Sequence, residues 1–374
     1  MITKRRVLSA VAVVAALMAA ACSSSGGTSS QHAADGATAT TPPPPIEPSG
    51  TSALPARRSV GCSSTVHGKV GVRSGEVELD LVSQGKVRTY LRYVPPGVSR
   101  TTPLPIVLDL HGLGSNMTQQ EAVTQLEQLA AREHFIVLTP NGLDSRWNTV
   151  DQQPNGDVFF IERLLDTTMQ AQCVDAARVY STGYSDGGLM SSVLACQLAN
   201  RITAIAVVSG LTHGPACSPS RPVPVMVFWG KQDLVLPFYG GLGEALRDLL
   251  SGKPVPAHLE APTAPVPVAQ QDGFPPVEQV VSSWADTDGC SSTPTKVAVA
   301  SDVEERIFTN CRTGSANRFY VVSDGGHAWP GSKVEADVGR ASPNGQAAII
   351  GYTTTNVSAT DLIWKFFKQY ALSS

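Results

Sequence analysis

At 374 residues the chain can hold one large domain or two ordinary ones. Its formal net charge of -3, with no long run of one sign, excludes the clustered basic face of a nucleic-acid binder. No Cys/His cluster has zinc-ligand spacing, so neither metal nor other cofactor is expected.

The N-terminus reads as an export signal. Lys4, Arg5 and Arg6 precede a 15-residue uncharged stretch, Val7 to Ala21, that is too short to span a bilayer comfortably. The small residues Ala19-Ala20-Ala21 and then Cys22 have the form of a lipidation site, although Ala19 stands where such sites usually carry Leu. Residues 1–21 are therefore expected to be a signal peptide and Cys22 an acylated residue. Simple secretion is the alternative. Residues 22–59, rich in Ser, Gly, Thr, Ala and Pro, cannot bury enough apolar surface to order themselves. They are expected to form a flexible tether to an outward-facing membrane surface.

The folded domain is expected over residues 60–374. Apolar runs that read as strands lie at Val87–Val94, Ile106–Leu110, Phe135–Leu138, Val179–Thr182, Ile205–Val208, Val225–Trp229 and Arg318–Val322. Helical stretches separate several of them: Gln119–Arg132, the Val158, Ile161, Leu165 and Met169 stripe, and Gly188–Leu198. A last helix follows the N-cap signal at Ser358. Such alternation implies an α/β fold, a mostly parallel sheet with helices on both faces. The Pro-rich segment 240–276, with seven prolines from Pro254 to Pro276, reads as an insertion over the sheet. Thr293–Thr309 reads as an extra hairpin. The six cysteines after Cys22, in an exported chain, imply three disulfides. Local spacing favours Cys196–Cys217 and Cys290–Cys311, which leaves Cys62–Cys173. The expected oligomeric state is a monomer.

Gly183-Tyr184-Ser185-Asp186-Gly187 lies between a strand and a helix, the setting of a nucleophile elbow. A serine needs a base, and the base an orienting acid. The chain order serine, acid, histidine selects Asp233, after the Val225–Trp229 strand, and His327, in a glycine-rich loop after the last strand. His213, His258, Asp286, Asp288 and Asp324 are rivals. Backbone N–H groups of Leu113 and Asp186 are expected to form the oxyanion hole, with His111 a structural hydrogen-bonder beneath the first of them. Tyr184, Trp147, Phe238 and Trp329 are candidate walls of a substrate pocket.

Together Leu110-His111-Gly112, Cys173-Val174-Asp175, the Gly183–Gly188 elbow, Asp233 with Pro237–Gly241, Asp288-Gly289-Cys290 and Gly325-Gly326-His327-Ala328-Trp329-Pro330-Gly331 resemble the polyhydroxybutyrate-depolymerase-like and feruloyl-esterase-like branch of the α/β-hydrolases. The resemblance spans roughly Val87 to Tyr370. It implies Ser185 as nucleophile, Asp233 as acid and His327 as base. The implied activity is ester hydrolysis through an acyl-enzyme, on feruloyl or acetyl esters of carbohydrate, with polyhydroxyalkanoate as the alternative. Trp229-Gly230 stands where the family often has His-Gly. Readings from other classes are a non-catalytic lipoprotein binding envelope carbohydrate and a serine peptidase on the same fold.

Overall fold

The computed structural model describes residues 55–63, 75–253, 259–265, 273–341 and 349–373. The signal peptide, Cys22 and most of the tether lie outside them, as does His258. Ten strands form one sheet: β1 Gly75–Ser83, β2 Lys86–Val94, β3 Leu104–Leu110, β4 Ile136–Pro140, β5 Val174–Tyr184, β6 Ala204–Val208, β7 Val225–Gly230, β8 Thr295–Ala300, β9 Val303–Phe308 and β10 Asn317–Val322. Their spatial order is β1-β2-β4-β3-β5-β6-β7-β10-β9-β8. From β4 through β3, β5, β6 and β7 to β10 every neighbouring pair is parallel. β1 and β2 at one edge, and β9 and β8 at the other, pair antiparallel.

The central strands are buried on both faces because their sequences do not alternate: every residue of β6 and of β7 is buried. Helices cover both sides. They are α1 Met117–Thr124, α2 Leu126–Glu133, α3 Gly156–Ala171, α4 Asp186–Gln197, α5 Glu244–Ser251, α6 Val277–Thr287, α7 Lys333–Ala341 and α8 Ala359–Phe367. One apolar cluster joins α3, α4 and α6 to the sheet; a second joins α2 and α8 to the opposite face. Among the described residues no helix is long and apolar enough to cross a membrane.

The expected helix Gln119–Arg132 is two helices. Gln125 between them adopts a left-handed conformation, φ 51°, which interrupts the hydrogen-bond ladder. β1 was not anticipated. Its signal is a period of two: Val77, Leu79 and Leu81 alternate with Glu76, Glu78 and Asp80, and its burial alternates with them as it pairs with β2 along its whole length. The hairpin at Thr293–Thr309 is β8–β9, the outer edge of the sheet. The disulfides join Cys62 to Cys173, Cys196 to Cys217 and Cys290 to Cys311. Three such bonds suit a protein that folds in an oxidising compartment.

Candidate active site

Ser185 lies at the turn from β5 into α4. Its backbone is strained, φ 55° and ψ -118°, a conformation uncommon for any residue with a Cβ. The flanking residues must be glycine because the turn is so tight. A Cβ on Gly183 would come within 2.3 Å of the Gly187 backbone, and one on Gly187 within 1.9 Å of the Leu110 carbonyl oxygen. The strain projects the serine beyond the carboxyl edge of the sheet, and α4 begins at the next residue with unpaired amides and the positive end of its dipole.

Two further loops leave the same edge. Asp233 follows β7 and is fully buried. Its Oδ1 accepts the N–H groups of Val235 and Leu236, both at 2.8 Å. Its Oδ2 accepts the Nδ1–H of His327, from the loop after β10, at 2.8 Å. This bond fixes the tautomer and leaves Nε2 as the free basic nitrogen of the ring. Ser185 and His327 line one cavity with Leu113, Asp186 and Tyr184.

The loop after β3 is held in place from below. His111 Nδ1–H donates to the Gly112 carbonyl at 2.7 Å, and its Nε2 accepts the Gly142 N–H at 2.9 Å. Burial lowers the pKa of His111 to about 4, so its ring is neutral and serves as a strut. Gly114 N–H bonds to the Ser145 carbonyl at 2.7 Å. Among the described residues the Leu113 and Asp186 amides meet no protein acceptor, and both residues border the cavity. Two such donors beside a serine are the arrangement that stabilises an oxyanion.

Three of the four aromatic residues expected in the cavity wall are elsewhere. Trp147 is buried under the β3 loop. Its indole N–H donates to the His111 carbonyl at 2.9 Å and its backbone N–H to Asp186 Oδ2 at 2.8 Å. Phe238 is in the core against Phe319, ring centroids 6.0 Å apart. Trp329 is 1% exposed and donates its indole N–H to Thr360 Oγ1. Large aromatic side chains bury the most surface, and here the core claims them. Tyr184 does line the cavity. Of the rival residues, His213 bonds Thr287 Oγ1, and Asp288 accepts the Val223 N–H before the start of β7, at the other end of the sheet.

One residue of the site escaped the sequence reading. Glu335 on α7 is 1% exposed and accepts the Trp329 N–H at 2.5 Å. It faces the Tyr184 hydroxyl, which donates to the His327 carbonyl oxygen. The loop carrying His327 is thus tied at two points. Burial pushes the Glu335 carboxyl up to about 7. Between its ordinary value of 4.5 and 7 the folded chain holds a proton that the unfolded chain releases. This group's stabilisation is therefore complete below about pH 4.5 and lost as pH rises through 7. Glu335→Gln is expected to flatten that dependence and to raise the melting temperature at pH 8 relative to wild type. Thermal melts at pH 5.5 and pH 8 check it; an unchanged pH slope would reject the assignment.

Two other groups bring metal-type ligands together among the described residues. One includes Cys196 and Cys217, whose sulfurs are bonded to each other. The other is Glu76, Glu121 and Glu127 near the surface, where burial and mutual repulsion push Glu127 up to about 8. Neither touches the cavity.

A strained serine, an Asp–His pair and a mostly parallel sheet that carries all three at its carboxyl edge define an α/β-hydrolase of the serine-nucleophile type. The family model described as esterase PHB depolymerase matches residues 88–239. The chain is 32% identical to feruloyl esterase D of Neurospora crassa over 208 residues, 53% of this chain and 70% of that protein. It is 27% identical over 244 residues to feruloyl esterase B of Piromyces equi, covering 63% of this chain but only 41% of that longer protein. Among solved structures it is similar to an acetyl xylan esterase from Aspergillus awamori, at 14% identity and a TM-score of 0.49, covering 68% of this chain and 94% of that one. The chain belongs to the polyhydroxybutyrate-depolymerase-like and feruloyl-esterase-like family of α/β-hydrolases.

Proposed function

We propose that this chain is a serine carboxylic ester hydrolase working through an acyl-enzyme. The observation that carries the reading is the hydrogen-bonded Asp233–His327 pair sharing one cavity with the strained Ser185. Ser185 Oγ attacks the ester carbonyl carbon while His327 Nε2 takes its proton. The N–H groups of Leu113 and Asp186 hold the oxygen that gains the charge. The tetrahedral intermediate collapses, the carbon–oxygen bond to the alcohol breaks, and His327 returns the proton to the leaving alcohol. Water then gives its proton to His327 and attacks the acyl carbon. The acid departs and Ser185 Oγ regains a proton. No step calls on a cofactor.

The relatives' names bring a feruloyl group, and a bifunctional acetylxylan esterase/xylanase of Neocallimastix patriciarum, 33% identical over 153 residues, brings an acetyl group on a carbohydrate. The description of the family model brings an aliphatic polyester, polyhydroxyalkanoate, as the second reading. Labelling of wild type and Ser185→Ala with a fluorophosphonate separates both from a non-catalytic carbohydrate-binding lipoprotein: labelling that does not depend on Ser185, or none at all, would sink the hydrolase reading. Cleavage of p-nitroanilides without cleavage of p-nitrophenyl esters would make it a peptidase.

The chain is exported, with residues 1–21 as signal peptide, Cys22 as the acylated residue, residues 22–59 as tether and residues 60–374 as the catalytic domain, working as a monomer. Cys22→Ala is expected to move the protein from the membrane fraction to the medium. Undiminished membrane retention in a fractionation blot would refute lipidation.

A further inference from the structure

The cavity over Ser185 has a volume of about 390 Å³, within the range that holds small ligands. Of its polar lining, Ser115 Oγ–H donates to Gln119 Oε1 at 3.0 Å and Gln120 Nε2–H to Asp109 Oδ1 at 2.7 Å. Much of the remaining wall is aliphatic, with Leu189, Val235, Leu236, Ile349 and Ile350 all bordering it. The insertion supplies the rest. Leu242, Leu246 and Leu250 recur every fourth residue, so they share one face along α5 and its approach. All three border the cavity, whereas Glu244 and Arg247 are exposed. Phe274, where the chain returns from the insertion, completes the wall. Leu250 is 51% exposed and Leu113 37% exposed. These apolar side chains are open to solvent at the edge of a cavity that already contains the serine.

We propose that this cavity takes the acyl half of the substrate as an aliphatic chain of medium length, in preference to an acetyl or hydroxycinnamoyl group. The proposal rests on Ser185 being the nucleophile. A hydroxycinnamoyl ring calls for stacking partners and a hydrogen-bonding group for its phenol. Among the described residues, apart from His327 itself and Tyr184, whose hydroxyl is bonded to the His327 carbonyl, Phe274 is the sole aromatic residue of the wall. An acetyl group would leave the leucine face wet. An alkyl chain covers it, and each methylene transferred from water is worth about fourfold in kcat/KM, the equivalent of ~0.8 kcal/mol.

The test is a series of p-nitrophenyl acetate, butyrate, octanoate and dodecanoate, with methyl ferulate alongside, turned over by the full chain and by Leu246→Trp. Octanoate is expected to exceed acetate by more than tenfold in kcat/KM. Leu246→Trp, which adds bulk at the cavity wall, is expected to bring the octanoate-to-acetate ratio toward one. That ratio is read within one protein, so it does not depend on how much of the variant folds. A flat series in wild type, or methyl ferulate turned over better than octanoate, overturns the aliphatic pocket and leaves the hydrolase standing. Loss of all ester turnover together with loss of fluorophosphonate labelling overturns the hydrolase itself.

Discussion

Ser185→Ala is expected to lower kcat on an activated ester by about 10⁵–10⁶-fold, or roughly 7–8 kcal/mol of transition-state stabilisation. The loss is so large because the Ser185 hydroxyl itself forms the acyl bond, and the other serine of the cavity, Ser115, donates its hydroxyl to Gln119. What survives is the contribution of the oxyanion donors and of binding, which still hold an ester for attack by water. The fold is expected to survive as well. The strained backbone at φ 55° is already occupied by a residue with a Cβ, and alanine removes only the hydroxyl. Steady-state kinetics and a thermal melt on the same sample check both halves. A fall of less than tenfold would place the nucleophile elsewhere.

Asp233→Asn is expected to cost about 10⁴-fold in kcat, with little change in KM. The geometry gives the reason. Oδ1 is held by the Val235 and Leu236 amides, so the asparagine oxygen stays with those donors and its NH₂ turns toward His327. Nδ1 must then accept rather than donate, the ring proton moves to Nε2, and the nitrogen nearest the reaction can no longer take a proton. The imidazolium also loses its counter-charge. Rates of p-nitrophenyl ester hydrolysis measure the effect. A loss below about tenfold would show that Asp233 only supports the loop.

Much of the carboxyl edge was legible because the chemistry leaves marks in sequence. An elbow needs glycines on both sides of its serine, and the tightly packed loop that carries the histidine needs them too. The strands of the central sheet are short continuous apolar runs, which few other structures require. What could not be read depends on distant parts of the chain. Trp147, Phe238 and Trp329 are aromatic and close in sequence to site residues, yet each points into the core or under a loop. Glu335 follows its histidine by eight positions in an unremarkable polar stretch, and only the packing of α7 against Tyr184 reveals it. The leucines at 242, 246 and 250 did carry a periodic signal, which the surrounding prolines obscured. α5 is short, and it becomes a wall because it borders the same cavity as the serine.

The N-terminal segment enters the domain at the end away from the site. Arg58 bridges to Asp175, and Cys62 is bonded to Cys173, just before β5. Ser185 follows the other end of the same strand. Val174 pairs with Leu104 and Gly183 with Leu110, so the two ends of β5 stand roughly 20 Å apart at about 3.3 Å per residue. The leading segment is therefore pinned to the pole opposite the cavity mouth. That point of attachment leaves the cavity mouth clear of the chain that leads into the domain, and the serine is open to an ester carried by something too large to enter a narrow cleft.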